Sequence, residues 1–202
     1  MNRVTENLPS YCYISSEMKS VDCIVFHFFS GKYQFPDAPF DTEKCLQLFK
    51  DLNRPYPQRE WFKMKDVQKR MYASAHIMIA RDGTVHDLVP LPHRALHAGK
   101  SEWKGKSNCN NWMVGIEMVA TSSSGYTDEQ YKALIELTEE LITKYNITWD
   151  NITGHENIAP GRKKDPGKNF DWDRYRAMKE PAQSAFAKLA EYIPWGDDAE
   201  ED

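Results

Sequence analysis

At 202 residues and a net charge of −4, the chain is long enough to bury a core without disulfide or metal staples, and nothing in its charge demands a polyanionic partner. Hydrophobic residues at 41% and aromatics at 12% fit a folded protein rather than a disordered one. The four cysteines, Cys12, Cys23, Cys45 and Cys109, show no CxxC or CxH pairing and read as reduced thiols, with Cys23 a small buried hydrophobe.

Residues 1–20 form an N-terminal segment without the apolar core of a signal peptide, and no run approaches the roughly 18 apolar residues of a membrane helix. The expectation is synthesis in a cytoplasm and no membrane insertion. The sequons Asn146-Ile147-Thr148 and Asn151-Ile152-Thr153 are accordingly chance matches.

The first predicted strand is VDCIVFHFFSG, residues 21–31, rich in β-branched and aromatic residues, with His27 near its end. Residues 32–72 form an excursion punctuated by Pro36, Pro39, Pro55 and Pro57. Asp41 or Thr42 can cap a helix carrying Cys45, Leu46, Phe49 and Leu52, and a more charged helix is expected over 58–70. ASAHIMIARDGTVHDLVPL then predicts a hairpin turning at Asp82-Gly83.

A polar stretch through HAGKSEWKGKSNCNN leads to a further strand, WMVGIEMVA. There Met113, Gly115, Glu117 and Val119 share one face, so a carboxylate is aimed at an otherwise small and apolar surface. TDEQYKALIELTEELITKYN is the clearest helix: Thr127 and Gln130 form a capping box, and Tyr131, Leu134, Ile135, Thr138, Leu141, Ile142 and Tyr145 recur at helical spacing. A short strand over 148–153 places His155 just past its end, and DWDRYRAM begins a terminal helix interrupted or restarted at Pro181. Residues 193–202 are an acidic tail. Strands mixed with helices, without internal repeats, predict one α/β domain at 21–192, a central mixed sheet covered by helices.

His27, His155 and Asp165 thus all lie at strand ends or in the loop beyond one, where sites of α/β sheets gather. Two imidazoles and one carboxylate leave a fourth tetrahedral position open, the arrangement of catalytic zinc. Pro160-Gly161 and Pro166-Gly167 stiffen the loop that carries Asp165. The residues alone leave a second reading open: His27 as a hydrogen-bonded core histidine, Glu117 as a salt-bridge partner, and Arg162-Lys163-Lys164 as a solvated run. His76, His86 and His93 show no such convergence and read as structural or surface residues.

The ordered segments VFHFFSG, SAHIMIARDGTVHDLVP, ALHAGKS, CNNWMVGIEM, YTDEQYKAL and TGHENIAPGRKKDPGKNFDW resemble the signature of zinc-dependent N-acetylmuramoyl-L-alanine amidases. That family includes cytosolic anhydromuropeptide amidases, many phage endolysins and the peptidoglycan-recognition proteins. The resemblance implies an amidase or peptidoglycan-recognition-protein-like fold, Zn2+ held by His27, His155 and Asp165, and Glu117 and Lys163 as catalytic residues. Some phage members carry a tyrosine where this chain has Ala75, which leaves Glu117 as the base.

The implied reaction is hydrolysis of the amide between N-acetylmuramic acid and L-alanine, with peptidoglycan or a muropeptide as the partner and a monomer as the acting unit. Glu117 would move the water's proton to the leaving nitrogen, and Lys163 would stabilise the oxyanion. His97 and Arg162 are the expected substrate-binding residues. The excursion at 32–72 favours a phage endolysin, with a recycling anhydromuropeptide amidase as the alternative and a non-catalytic peptidoglycan-binding module behind both. Nucleic-acid binding through GRKKDPGK is excluded by the absence of any wider basic stripe.

Overall fold

The computed structural model describes residues 1–54 and 73–179. The helix expected over 58–70, the restart at Pro181 and the acidic tail lie outside the described residues. The chain divides into two compact units, Met1–Phe170 and Asp171–Asp202. In the second, residues 172–179 are helical, and the Asp171 side chain caps the first turn by accepting from the Arg174 amide at 2.8 Å.

The first unit is built on a mixed sheet. In chain order its strands are β1 (Arg3–Thr5), β3 (Cys23–Phe29), β4 (Ile77–Ile79), β5 (Val85–Asp87), β9 (Met113–Val119) and β10 (Ile152–Gly154). They lie side by side as β1-β5-β4-β9-β3-β10, parallel throughout except for the β4–β5 hairpin. Two small ribbons pair β2 (Ile14–Glu17) with β6 (His93–Arg94), and β7 (Glu102–Trp103) with β8 (Lys106–Ser107). These ribbons occupy stretches that carry too few alternating residues to announce a strand. β1 likewise shows no apolar signal, because all three of its residues are exposed. It draws the N-terminal segment into the sheet edge, where Arg3 bonds Asp87 and Glu140.

The hairpin turns at Asp82-Gly83 as the dipeptide demands: Gly83 has φ 82°, and Asp82 accepts from the Thr84 amide. Helix α1 (Thr42–Leu52) is capped by Asp41, which accepts from the Lys44 amide. Helix α2 (Asp128–Tyr145) carries the full capping box of Thr127 and Gln130. The expected strand at 148–153 is shorter and later: Trp149–Asn151 form a 3-10 turn before β10. Asp150-Asn151 favour a turn, which leaves Ile152 and Thr153 to pair.

Alternation along β3 sends Phe26 and Phe29 to opposite faces. Phe29 stacks on Phe49 of α1 at 4.3 Å, while Phe26 meets Phe170, which meets Tyr131 of α2. The two helices therefore cover opposite faces, and the central strands β3 and β9 are largely buried. All four cysteines are free and buried. Among the described residues no helix is long and apolar enough to cross a membrane.

Candidate metal centre and active site

Parallel pairing of β3 with β9 sets His27 directly beside Glu117. Neighbours in register point to the same face, so one imidazole and one carboxylate stand together on the face of the sheet that also carries Phe29. β10 pairs with β3 on the other side, Gly154 opposite Phe26, and the chain enters the short helix α3 (His155–Ile158) at the next residue. His155 therefore arrives beside His27, with ring centroids 4.5 Å apart.

The loop then folds back. Gly161 and Gly167 adopt φ of 75° and 77°, the conformations for which glycine is suited. The Asp165 carbonyl accepts from the Glu156 amide at 2.9 Å, and Tyr126 Oη donates to the Pro166 carbonyl at 2.7 Å. Pro166 packs against Gly154 so closely that a Cβ there would sit 2.5 Å from Pro166 Cδ. Tyr126 and Gly154 thus help to seat Asp165, a role that no local sequence signal reveals.

Three ligand atoms converge as a result. His27 Nδ1 lies 2.9 Å from His155 Nδ1 and 2.8 Å from Asp165 Oδ2, and His155 Nδ1 lies 2.9 Å from the same oxygen. They form the one such group of metal-ligating side chains among the described residues. The donor set fits a cation. His155 Nε2 faces the Ala98 carbonyl at 3.1 Å, which can only accept, so Nε2 carries the ring proton and Nδ1 offers a lone pair. That lone pair and a carboxylate oxygen 2.9 Å away repel unless a positive centre or a shared proton lies among them. Two imidazole nitrogens and one carboxylate oxygen suit zinc.

Electrostatics agree with this arrangement. Burial pushes His27 down to about 4, which keeps it neutral, as a ligand must be. Burial alone would raise the Asp165 carboxyl, but the adjoining His155 and His27 rings outweigh this and hold it far below the usual carboxylate range. Glu117 goes the other way. Burial and the nearby Asp165 charge raise it well above its ordinary value, against the opposing pull of Lys163. Its Oε2 is buried without a hydrogen-bond partner among the described residues.

Lys163 is exposed, and its charge reaches both Glu117 and His27. Arg162 turns away: its Nη2 donates to the Ala98 and Lys100 carbonyls at 2.6 Å each, so the guanidinium clamps the 98–100 loop. His97 is only 8% exposed and lies behind His27 instead of along an open groove. Of the remaining histidines, His76 is fully buried, its Nδ1 accepting from the Gly115 amide and its Nε2 donating to the His93 carbonyl.

Residues 17–168 match the model of the N-acetylmuramoyl-L-alanine amidase family. The chain belongs to that family. A 1,6-anhydro-N-acetylmuramyl-L-alanine amidase AmpD of Citrobacter freundii is 49% identical over 109 residues, 54% of this chain and 58% of that protein. The matched stretch thus spans little more than half of that amidase's length. A crystal structure of AmpD superposes with a TM-score of 0.65 at 32% identity, covering 88% of this chain and 93% of that one. An endolysin amidase from Clostridium intestinale gives 0.57 at 22% identity, covering 88% and 94%, a likeness of fold alone.

Proposed function

We propose that the protein is a zinc-dependent N-acetylmuramoyl-L-alanine amidase acting on 1,6-anhydro-muropeptides. The observation that carries the chemistry is the convergence of His27, His155 and Asp165, with Glu117 beside His27 holding a buried Oε2 that has no hydrogen-bond partner among the described residues. The substrate class rests on likeness to the Citrobacter freundii amidase, which displaces the endolysin reading. That reading leaned on residues 32–72, of which 55–72 lie outside the described residues. A purely peptidoglycan-binding module would have no use for this complete set of groups.

His27, His155 and Asp165 would hold zinc. Bound there, the metal supplies Lewis-acid polarisation of the scissile carbonyl and lowers the pKa of a water from 15.7 to about 7. Glu117 takes the water's proton at its carboxylate and delivers it to the departing alanine nitrogen. Its raised pKa brings it closer to the operating pH, where a general base that must then act as an acid works best. Lys163 contributes its charge to the oxyanion from the solvent side of the loop. The products are the anhydro sugar with its free lactyl carboxylate and the free stem peptide.

Mass spectrometry after incubation with purified 1,6-anhydro-muropeptides, and separately with intact sacculi, tests the proposal. The expected outcome is release of the stem peptide from the small substrate with little clearing of sacculi. Clearing of sacculi without cleavage of the anhydro-muropeptide would restore the endolysin reading, and no cleavage of either would end the enzymatic one.

A further inference from the structure

His27 Nε2 lies 3.0 Å from His97 Nδ1, and His97 Nε2 lies 3.1 Å from the Met113 carbonyl. A carbonyl only accepts, so His97 Nε2 must carry the His97 proton. The buried ring is flanked by the imidazoles of His27 and His76 and has no carboxylate on either nitrogen, so it carries a single proton, and Nδ1 is then a lone pair that can only accept. His27 Nε2 must therefore be the donor, which strips the proton from His27 Nδ1. The order of bonds runs one way, from the Met113 carbonyl through two imidazoles to the point where His155 and Asp165 converge.

The direction matters because His27 has a competing tautomer. With its proton on Nδ1 it could donate to Asp165 Oδ2 at 2.8 Å and quench the repulsion among the three acceptors without any metal. His97 removes that option. It does for His27 what the Ala98 carbonyl does for His155, so two adjacent residues of the HAG segment stand behind both imidazoles. Asn110 Oδ1 accepts from the amides of both, at 3.1 and 2.8 Å, and holds the pair in place.

The packing around His97 is made for this ring. A Cβ on Gly115 would lie 2.4 Å from His97 Cγ, so β9 carries a glycine where the imidazole crosses it. His76 closes the other side, with ring centroids 5.6 Å apart. Both His97 nitrogens are occupied within the protein, which leaves none for a substrate.

We propose that His97 is a positioning residue that fixes His27 in its Nε2-protonated tautomer and so keeps Nδ1 free to bind the metal. The inference rests on the metal-centre reading above. Outer-shell partners of this kind are typically worth about 10- to 100-fold in metal affinity.

Zinc affinity, measured by chelator competition, is compared for the wild type, His97→Ala, His97→Leu and His97→Asn, alongside thermal stability. Alanine and leucine lack an acceptor and should weaken zinc binding about 10- to 100-fold, whereas asparagine, whose Oδ1 falls near the place of Nδ1, should recover most of it. Wild-type affinity in a folded alanine or leucine variant overturns the proposal. Nitrogen-15 NMR of the metal-free wild type reads the tautomer whether or not the variants fold: protonation of His27 at Nε2 is expected, and protonation at Nδ1 sinks the idea. A wild type with the expected tautomer that takes up no zinc would instead refute the metal-centre reading.

Discussion

The two walls of the site are built by different means. On one side His27 and Glu117 stand on neighbouring parallel strands, in register and inside the best-packed part of the sheet. On the other, Lys163 and Asp165 stand on a loop shaped by two prolines and two left-handed glycines. Each wall rests on a glycine that exists for a close approach, Gly115 of β9 beneath His97 and Gly154 of β10 beneath Pro166 of the loop. The sheet fixes geometry through ladders of backbone bonds, whereas the loop fixes it through a few contacts of its own, so damage to each wall should have a different signature.

The largest effect is expected where the walls meet. Asp165→Ala removes the loop's only ligand and should abolish both stoichiometric zinc and amidase turnover, read by metal analysis and product release. Turnover retained in that metal-free variant would mean that the strand wall suffices. Next come substitutions that spare the ligands. Glu117→Gln should cut turnover by about 10²–10⁴-fold and Lys163→Ala by about 10²–10³-fold, with zinc still bound in both. If Lys163→Ala lost zinc as well, the loop would be less rigid than its geometry implies.

A stability effect on the strand wall follows from His76. Burial pushes it from 6.5 to about 4, and a proton on its Nδ1 would face the Gly115 amide that now donates to it. The folded value lies below the unfolded one, so the unfolded chain binds more protons between them. Stability that is fully present above about pH 6.5 is therefore lost as the pH falls towards 4, by about 3 kcal/mol. Denaturant titrations across this range should show a flatter profile for His76→Gln; identical profiles would remove His76 as the cause. Smallest is Gly154→Ala, at the end of β10 beneath the loop wall, where the new Cβ must displace Pro166. A loss of about 1–3 kcal/mol is expected, with weaker zinc binding as Asp165 moves. Unchanged affinity would show that the loop is seated without that contact.

Much of the fold was legible because its signals are local. The buried strand with His27, the Asp82-Gly83 hairpin, the Thr127 capping box and the stop before His155 all depend on residues close in sequence. β1 and the two small ribbons were not, because their residues are exposed and pair with distant partners. The burial of His97 and the turning away of Arg162 were equally invisible, since a histidine and an arginine in polar loops look the same whether they meet substrate or backbone carbonyls.

By itself the sequence determined which groups are available, two histidines, two carboxylates and a lysine, and the elements that carry them, because residue type and periodicity are one-dimensional facts. The tertiary structure alone decided which nitrogen of each histidine faces the centre. That choice depends on which distant carbonyl or ring lies behind it, and chain spacing does not encode where Ala98, Met113 and His97 come to rest.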